Sequence, residues 1–253
     1  MTDELTEPGP TRVMDDYEQE LAEQVYGAIQ DYSRHDDRGA QSAEYRVGIS
    51  DLGFCSERTR RMLDQQDPDD SDVLAAFIGT ALGDHAERAF VKRYPNVLQQ
   101  PDVTVTLRGE RNTFHVPGHP DLVNPDGEII DFKTTRGLEV VRRKGPSQQQ
   151  QFQRHGYGLG AYEAGLFEVG LDKVRVTNVW IDRAADDKEV YVHSEMFDHG
   201  VVEQMTWWLD EVVYAYVNEQ PARKEPPYEM CQKVCGFFKD CRLGETDVQG
   251  LLT

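Results

Sequence analysis

Long apolar runs are missing from this chain: nowhere in its 253 residues does one approach the ~20 residues of a membrane-spanning helix. A charged-then-apolar leader is missing as well, and the expectation is a soluble, cytoplasmic protein. Positive charge is scarce. Lys and Arg number 27 against 46 Asp and Glu, a net charge of −19. That balance argues against broad affinity for nucleic acid, which rests on Lys and Arg contacts to phosphate. Cysteine is limited to four residues, and without a secretion leader these are not expected to form disulfides. A Gly-x4-Gly-Lys-Ser/Thr phosphate loop is absent, so the chain cannot translocate on its own ATP. No internal repeat is visible, and the four glutamines at 148–151 are too few to count as low complexity.

The charge that is present is uneven. Residues 1–72 hold 19 acidic and 7 basic side chains. From Phe132 to Tyr157, six basic residues (Lys133, Arg136, Arg142, Arg143, Lys144 and Arg154) meet one acid, Glu139. Such a segment is either a solvated loop or a contact for polyanions. Residues 1–14 read as a disordered acidic N-terminus with Pro8 and Pro10. Residues 15–72 read as helical, with Tyr17, Leu21, Val25, Ile29 and Tyr32 at helical spacing and a short helix near Cys55. Residues 73–220 form the main domain and 221–253 a cysteine-bearing tail. Within the domain, one helix runs to about Tyr94 on the stripe Leu74, Phe77, Ala81, His85 and Ala89. Strands are expected at 97–107, 113–123, 128–134, 174–182 and 188–197, and helices at 147–166 and 199–218. The fold class is α/β, a mixed central sheet flanked by helices, with helical material at both ends.

The run from Gly118 to Lys133 reads as one β-hairpin. Pro125-Asp126-Gly127 is a turn in which proline presets φ, Asp accepts local bonds and Gly takes the left-handed position. A type I turn closed by a Gly bulge pairs Asn124 with Glu128 and places Asp121 opposite Asp131. Lys133 shares their face. Like charges directly opposite destabilise a sheet by up to about 1 kcal/mol, which points to a cation between them. Aspartates are hard oxygen ligands suited to Mg²⁺ or Mn²⁺. Lys133 beside them would orient a water or stabilise charge on a phosphate, unless the group is an ordinary surface ion pair.

Other residues gather around this hairpin. His85 lies on the apolar stripe of its helix and is expected to point inward, as a ligand or as a core histidine, while Glu87 faces elsewhere. His119 shares the hairpin face with Asp121. Gln153 and Tyr157 are four apart on a helix and share a face, either toward a phosphate and the lysine or toward solvent. Cys55, Cys231, Cys235 and Cys241 suit a tetrahedral zinc site or an iron–sulfur cluster, or are unrelated thiols.

In their order, these motifs resemble the RecB-like branch of the PD-(D/E)XK nucleases. They look most like those of the iron–sulfur exonucleases typified by the fourth CRISPR-associated protein and the nuclease domain of AddB. Gly118 to Asp121 resembles the G-x-x-D motif, Asp131-Phe132-Lys133 the (D/E)-x-K motif and Gln153 to Tyr157 the Q-x3-Y motif. The helix with Gly79, Gly83 and His85 resembles the segment whose His is a metal ligand, and Ser50 to Arg61 the first-cysteine segment. The C-terminal trio is spaced C-x3-C-x5-C where the family has C-x2-C-x5-C.

The resemblance implies a restriction-endonuclease-like core with a cysteine-rich iron–sulfur tail, and a Mg²⁺- or Mn²⁺-dependent deoxyribonuclease, an exonuclease on single-stranded DNA or DNA ends. It implies that His85, Asp121 and Asp131 hold the metal. Lys133 would position the attacking water, and Gln153 and Tyr157 would steady Lys133 or the phosphate. Arg136, Arg142, Arg143 and Lys144 would contact the DNA backbone, and Cys55, Cys231, Cys235 and Cys241 would hold a 4Fe–4S cluster. A role in recombination, repair, phage DNA metabolism or spacer processing follows, with a helicase, recombinase or integration complex as partner. The rival expectation is a weakly catalytic iron–sulfur subunit that docks on such a complex.

Overall fold

The computed structural model describes residues 19, 23–24, 47–66, 73–183, 190–222, 235, 237 and 241. The expected helix at 17–32 falls largely outside the described residues, and Cys231 falls wholly outside them. In chain order the helices are α1 (Ser56–Leu63), α2 (Val73–Arg93), α3 (Leu138–Lys144), α4 (Gln148–Glu163) and α5 (His199–Val217). The strands are β1 (Leu98–Gln99), β2 (Val103–Arg108), β3 (Thr113–Gly118), β4 (Leu122–Asn124), β5 (Glu128–Thr135), β6 (Arg175–Asp182) and β7 (Val190–Met196).

The hairpin has the register its turn demands. Asn124 is opposite Glu128, Val123 opposite Ile129 and Leu122 opposite Ile130. The Gly127 N–H donates to the Asn124 carbonyl at 2.9 Å, and the Asp126 N–H donates to the Asn124 side-chain oxygen at 3.2 Å. Gly127 has φ +108, and a Cβ there would lie 2.5 Å from Val169 Cγ2. Glycine alone tolerates both the dihedral and the contact.

Around this hairpin the main sheet has the order β1-β4-β5-β6-β7. Strands β5 and β6 are parallel and the other neighbours antiparallel, so the sheet is mixed. A parallel pair needs a crossover, and α3 and α4 supply it. Among the described residues, strands β2 and β3 pair with each other alone, as a separate two-stranded ribbon. The expected strands at 97–107 and 113–123 are therefore each two strands. The first breaks at Gln100, which has φ +45 before Pro101. The second breaks at His119-Pro120-Asp121, where proline offers no ladder donor.

Alternation along β5 divides the core. Ile129 belongs to a large cluster with Ile49, Leu52, Phe152, Met205 and Trp208, and Asp131 and Lys133 share its parity. Ile130 and Phe132 belong to a smaller cluster with Leu122, Val97, Phe90 and Val91 of α2. Helix α4 thus covers one face and α2 the other. Phe152 of α4 meets Trp208 of α5 edge-on, with ring centroids 6.4 Å apart. Burying each such side chain contributes roughly 1.5–3 kcal/mol.

Two helical expectations change. Ala81, His85 and Ala89 are exposed, so the stripe chosen for α2 is not its buried face. The buried face carries Glu87, Phe90 and Val91, which share a side at spacings of three and four. Alanine and valine occur nearly all round this helix, so apolar periodicity alone does not select a face. The basic stretch 138–144 is a helix rather than a loop, N-capped by Gly137 and stopped at Gly145 with φ +69. Among the described residues no helix is long and apolar enough to cross a membrane.

Replacing Gly127 with alanine should destabilise the fold by about 1–3 kcal/mol through strain and overpacking. A lower urea midpoint at unchanged m-value is the expected result.

Candidate active site

Strand β5 ends in the chemistry. Asp131 is 1% exposed. Its Oδ2 accepts from Lys133 Nζ at 2.7 Å and from Asn178 Nδ2 at 2.8 Å. Its Oδ1 is buried and has no hydrogen-bond partner among the described residues. An unsatisfied buried carboxylate oxygen carries a desolvation cost of ~1–3 kcal/mol or more. Asp121, one step before the ladder begins, accepts the Phe132 N–H on Oδ2 at 2.6 Å, so its carboxyl is held against β5 beside Asp131. Burial first, and then the Asp131 carboxylate, pushes Asp121 up to about 8, against the pull of Lys133. Glu87 adds to the same upward push.

Glu87 is the residue the sequence reading sent elsewhere. It is buried on the α2 face toward the sheet, and its Oε2 accepts from Gln99 Nε2 at 3.2 Å and Gln100 Nε2 at 2.8 Å. His85, two residues earlier and about 200° around the helix, is exposed, so its expected inward direction is corrected. His119 pairs with Asp102 at 3.0 Å. Among the described residues no group of three or more His, Cys, Asp or Glu is arranged to enclose a metal. Mg²⁺ does not require such a cage, since it is commonly bound by one or two carboxylates, water and substrate phosphate. Two adjacent carboxylates, one with a buried free oxygen, fit that donor set.

Helix α4 forms the wall. Gln153 Nε2 donates to the Tyr157 hydroxyl at 3.1 Å, and both side chains are buried. Burial, followed by Asp131, raises the Tyr157 phenol well above its ordinary value, so it stays protonated. The glycine of the G-x-x-D motif has a packing reason. A Cβ on Gly118 would lie 2.7 Å from Tyr157 Cε1 and 2.9 Å from Ile49 Cδ1. The two sequence motifs therefore touch, Gly118 leaving room for the Tyr157 ring.

Arg136, Arg142, Arg143 and Lys144 are exposed, the last three in the final turn of α3. Arg142 is partly committed, to Glu139 at 2.8 Å and over the Tyr191 ring at 5.8 Å. Cys55 is buried at the N-cap of α1, and Cys235 and Cys241 are half-exposed. The tail returns to α1. The Ala222 N–H donates to Glu57 Oε2 at 3.1 Å, and buried Phe237 packs under the Arg61 guanidinium at 5.8 Å. A separate cavity of about 470 Å³ between the β2–β3 turn and α5, lined in part by Arg108 and Trp207, shares no residue with the carboxylates.

No protein-family model matches the chain, nor does any curated protein match it in sequence. Among solved structures, SSO0001 matches with a TM-score of 0.50 at 16% identity, over 79% of this chain and 87% of that one. That likeness is one of fold. An alkaline exonuclease, LHK-Exo from Laribacter hongkongensis, matches with a TM-score of 0.41 at 12% identity, over 64% of this chain and 76% of its own. The same enzyme in complex with dAMP matches with a TM-score of 0.41 at 15% identity, over 64% and 78%. Structural neighbours thus include an alkaline exonuclease, at low sequence identity.

The raised Asp121 has a pH signature. Unfolded, an aspartate releases its proton near pH ~4, whereas the folded chain retains it up to about 8. The folded state binds the extra proton across that window. The resulting stability is full below pH ~4 and lost as pH rises toward the folded value. In chelator-treated protein, Asp121→Asn should gain stability relative to the wild type as pH rises between these limits. Urea midpoints measured across pH check this, and a pH-independent difference would remove the assignment.

Proposed function

We propose that the chain is a metal-dependent DNA exonuclease. The observation that carries this reading is the division of Asp131, one oxygen bound by Lys133 and Asn178 and the other buried without a partner beside Asp121. Asp121 and Asp131 would hold Mg²⁺ or Mn²⁺. Glu87 takes the place that His85 had in the ligand set, acting directly or through water. A divalent ion bound there supplies charge that offsets both the carboxylates and an incoming phosphate. Lys133, anchored at 2.7 Å on Asp131, would orient the attacking water and stabilise negative charge developing on the phosphate. Gln153 and protonated Tyr157 line the wall as hydrogen-bonding groups. Arg136, Arg143 and Lys144 offer exposed charge for the DNA backbone. The choice of DNA, and of ends, comes from the resemblance of the motifs to RecB-like exonucleases.

The motif resemblance adds a structural iron–sulfur cluster on Cys55, Cys231, Cys235 and Cys241, of which the three described, Cys55, Cys235 and Cys241, are not gathered into a metal-holding group in the structure. The cluster's support is the return of Phe237 to α1, the helix that Cys55 caps.

On end-labelled single-stranded DNA with Mn²⁺, the wild type should cut. Asp131→Ala should lose activity while keeping its fold, and Lys133→Ala should fall by about 10²–10⁴-fold. Full activity in the Asp131 variant would sink the metal site, and binding without cutting by the wild type would favour a docking subunit. Protein purified without oxygen should carry iron and a broad visible absorption band, and Cys55→Ser should lose both. A colourless, zinc-loaded protein would overturn the cluster.

A further inference from the structure

Asn178 lies directly opposite Asp131 in the parallel β5–β6 pair and is 0% exposed. Its Nδ2 donates to Asp131 Oδ2 at 2.8 Å, and its Oδ1 accepts from Arg154 Nη1 at 3.3 Å. Arg154 is 1% exposed and also donates to Glu195 through Nη2. Glu195 Oε1 is 2.9 Å from His155 Nε2, while His155 Nδ1 accepts the Asp198 N–H at 3.2 Å. With Nδ1 an acceptor, the proton of neutral His155 is on Nε2 and points at Glu195.

We infer that Asn178 is a positioning residue for the metal site and that the Arg154–Glu195 pair fixes its orientation. The inference rests on the reading of Asp131 as a ligand. A guanidinium only donates and a carboxylate only accepts, so the amide between them has one satisfied orientation. Flipped, it would set its NH₂ against Arg154 and its oxygen against Asp131, both buried away from compensating water. In the satisfied orientation Asn178 and Lys133 together occupy Oδ2, and Oδ1 is left for the cation. Without Asn178 the carboxyl is free to rotate, and Lys133 alone no longer keeps its two oxygens distinct. Arg154 and Glu195, on α4 and β7, thus set the geometry of a ligand that neither touches.

The test is Mn²⁺ binding to the full chain without DNA, read from the paramagnetic resonance signal of the free ion. Asn178→Leu should weaken binding by about 10–100-fold, the usual effect of removing a group that supports a ligand. On DNA its kcat should fall at unchanged KM, because Asn178 is buried. The double variant R154M/E195Q removes both charges of the pair, of which only Arg154 is buried, and should shift Mn²⁺ binding in the same direction, giving a second protein on which to read the effect. Asp131→Ala should lose binding altogether. If both test variants bind Mn²⁺ as the wild type does while Asp131→Ala does not, the positioning role is wrong and the metal site stands. If Asp131→Ala binds as the wild type does, the metal site falls as well. A lowered melting temperature at unchanged Mn²⁺ affinity would mark Asn178 as merely structural.

Discussion

The unequal treatment of the two oxygens of Asp131 is the constraint on which the rest of the site depends. A buried carboxylate is costly unless its charge is matched. Here the match is one-sided, with a lysine and an amide on Oδ2 and nothing among the described residues on Oδ1. Two further acids, Asp121 and Glu87, crowd the same corner in a chain already at −19. Every neighbouring element then has a purpose. Strand β6 brings Asn178 by register, the turn at Gly127 brings Asp121, and α4 brings Arg154 and the Tyr157 ring.

The mixed sheet makes this arrangement practicable. Because β5 is an interior strand with a parallel neighbour, its face is roofed by the crossover helix. The same alternation that sends Ile129 into the large cluster sends Asp131 and Lys133 to that face further along, where the roof ends in polar side chains. The apolar part of the strand holds the element in place, and its end carries the chemistry. Gly118 links the two, since its missing side chain admits the Tyr157 ring against Ile49.

Local chemistry was legible in the sequence where one turn governed it. Pro125-Asp126-Gly127 determined the register, and from it followed the neighbourhood of Asp121, Asp131 and Lys133. The Gln153–Tyr157 contact followed from helical spacing. What stayed hidden depended on packing between distant segments. The α2 face was ambiguous because alanine marks no side, so Glu87 was passed over for His85. A signal existed in Phe90 and Val91, three and four residues beyond Glu87. Asn178 and Glu195 gave no signal at all. Their parts come from strand pairing across 47 residues of chain and from a helix laid over the sheet. The split of each long expected strand followed from Pro101 and Pro120, which periodicity had overrun.

The meeting of Glu57 with the Ala222 amide, 165 positions apart, bears on how such a chain folds. Residues 49–63 pack against segments far along the chain, namely Phe152, Met205, α5 and Ala222. Until those arrive, Ile49 and Leu52 have no large cluster to enter, and α1 has no α5 to pack on. The core is thus closed by contacts between segments far apart in the chain. Folding governed by such distant contacts is slow, because loop closure precedes the reward. Ile49 and Leu52 are therefore fully buried only once the longest loops of the fold have closed.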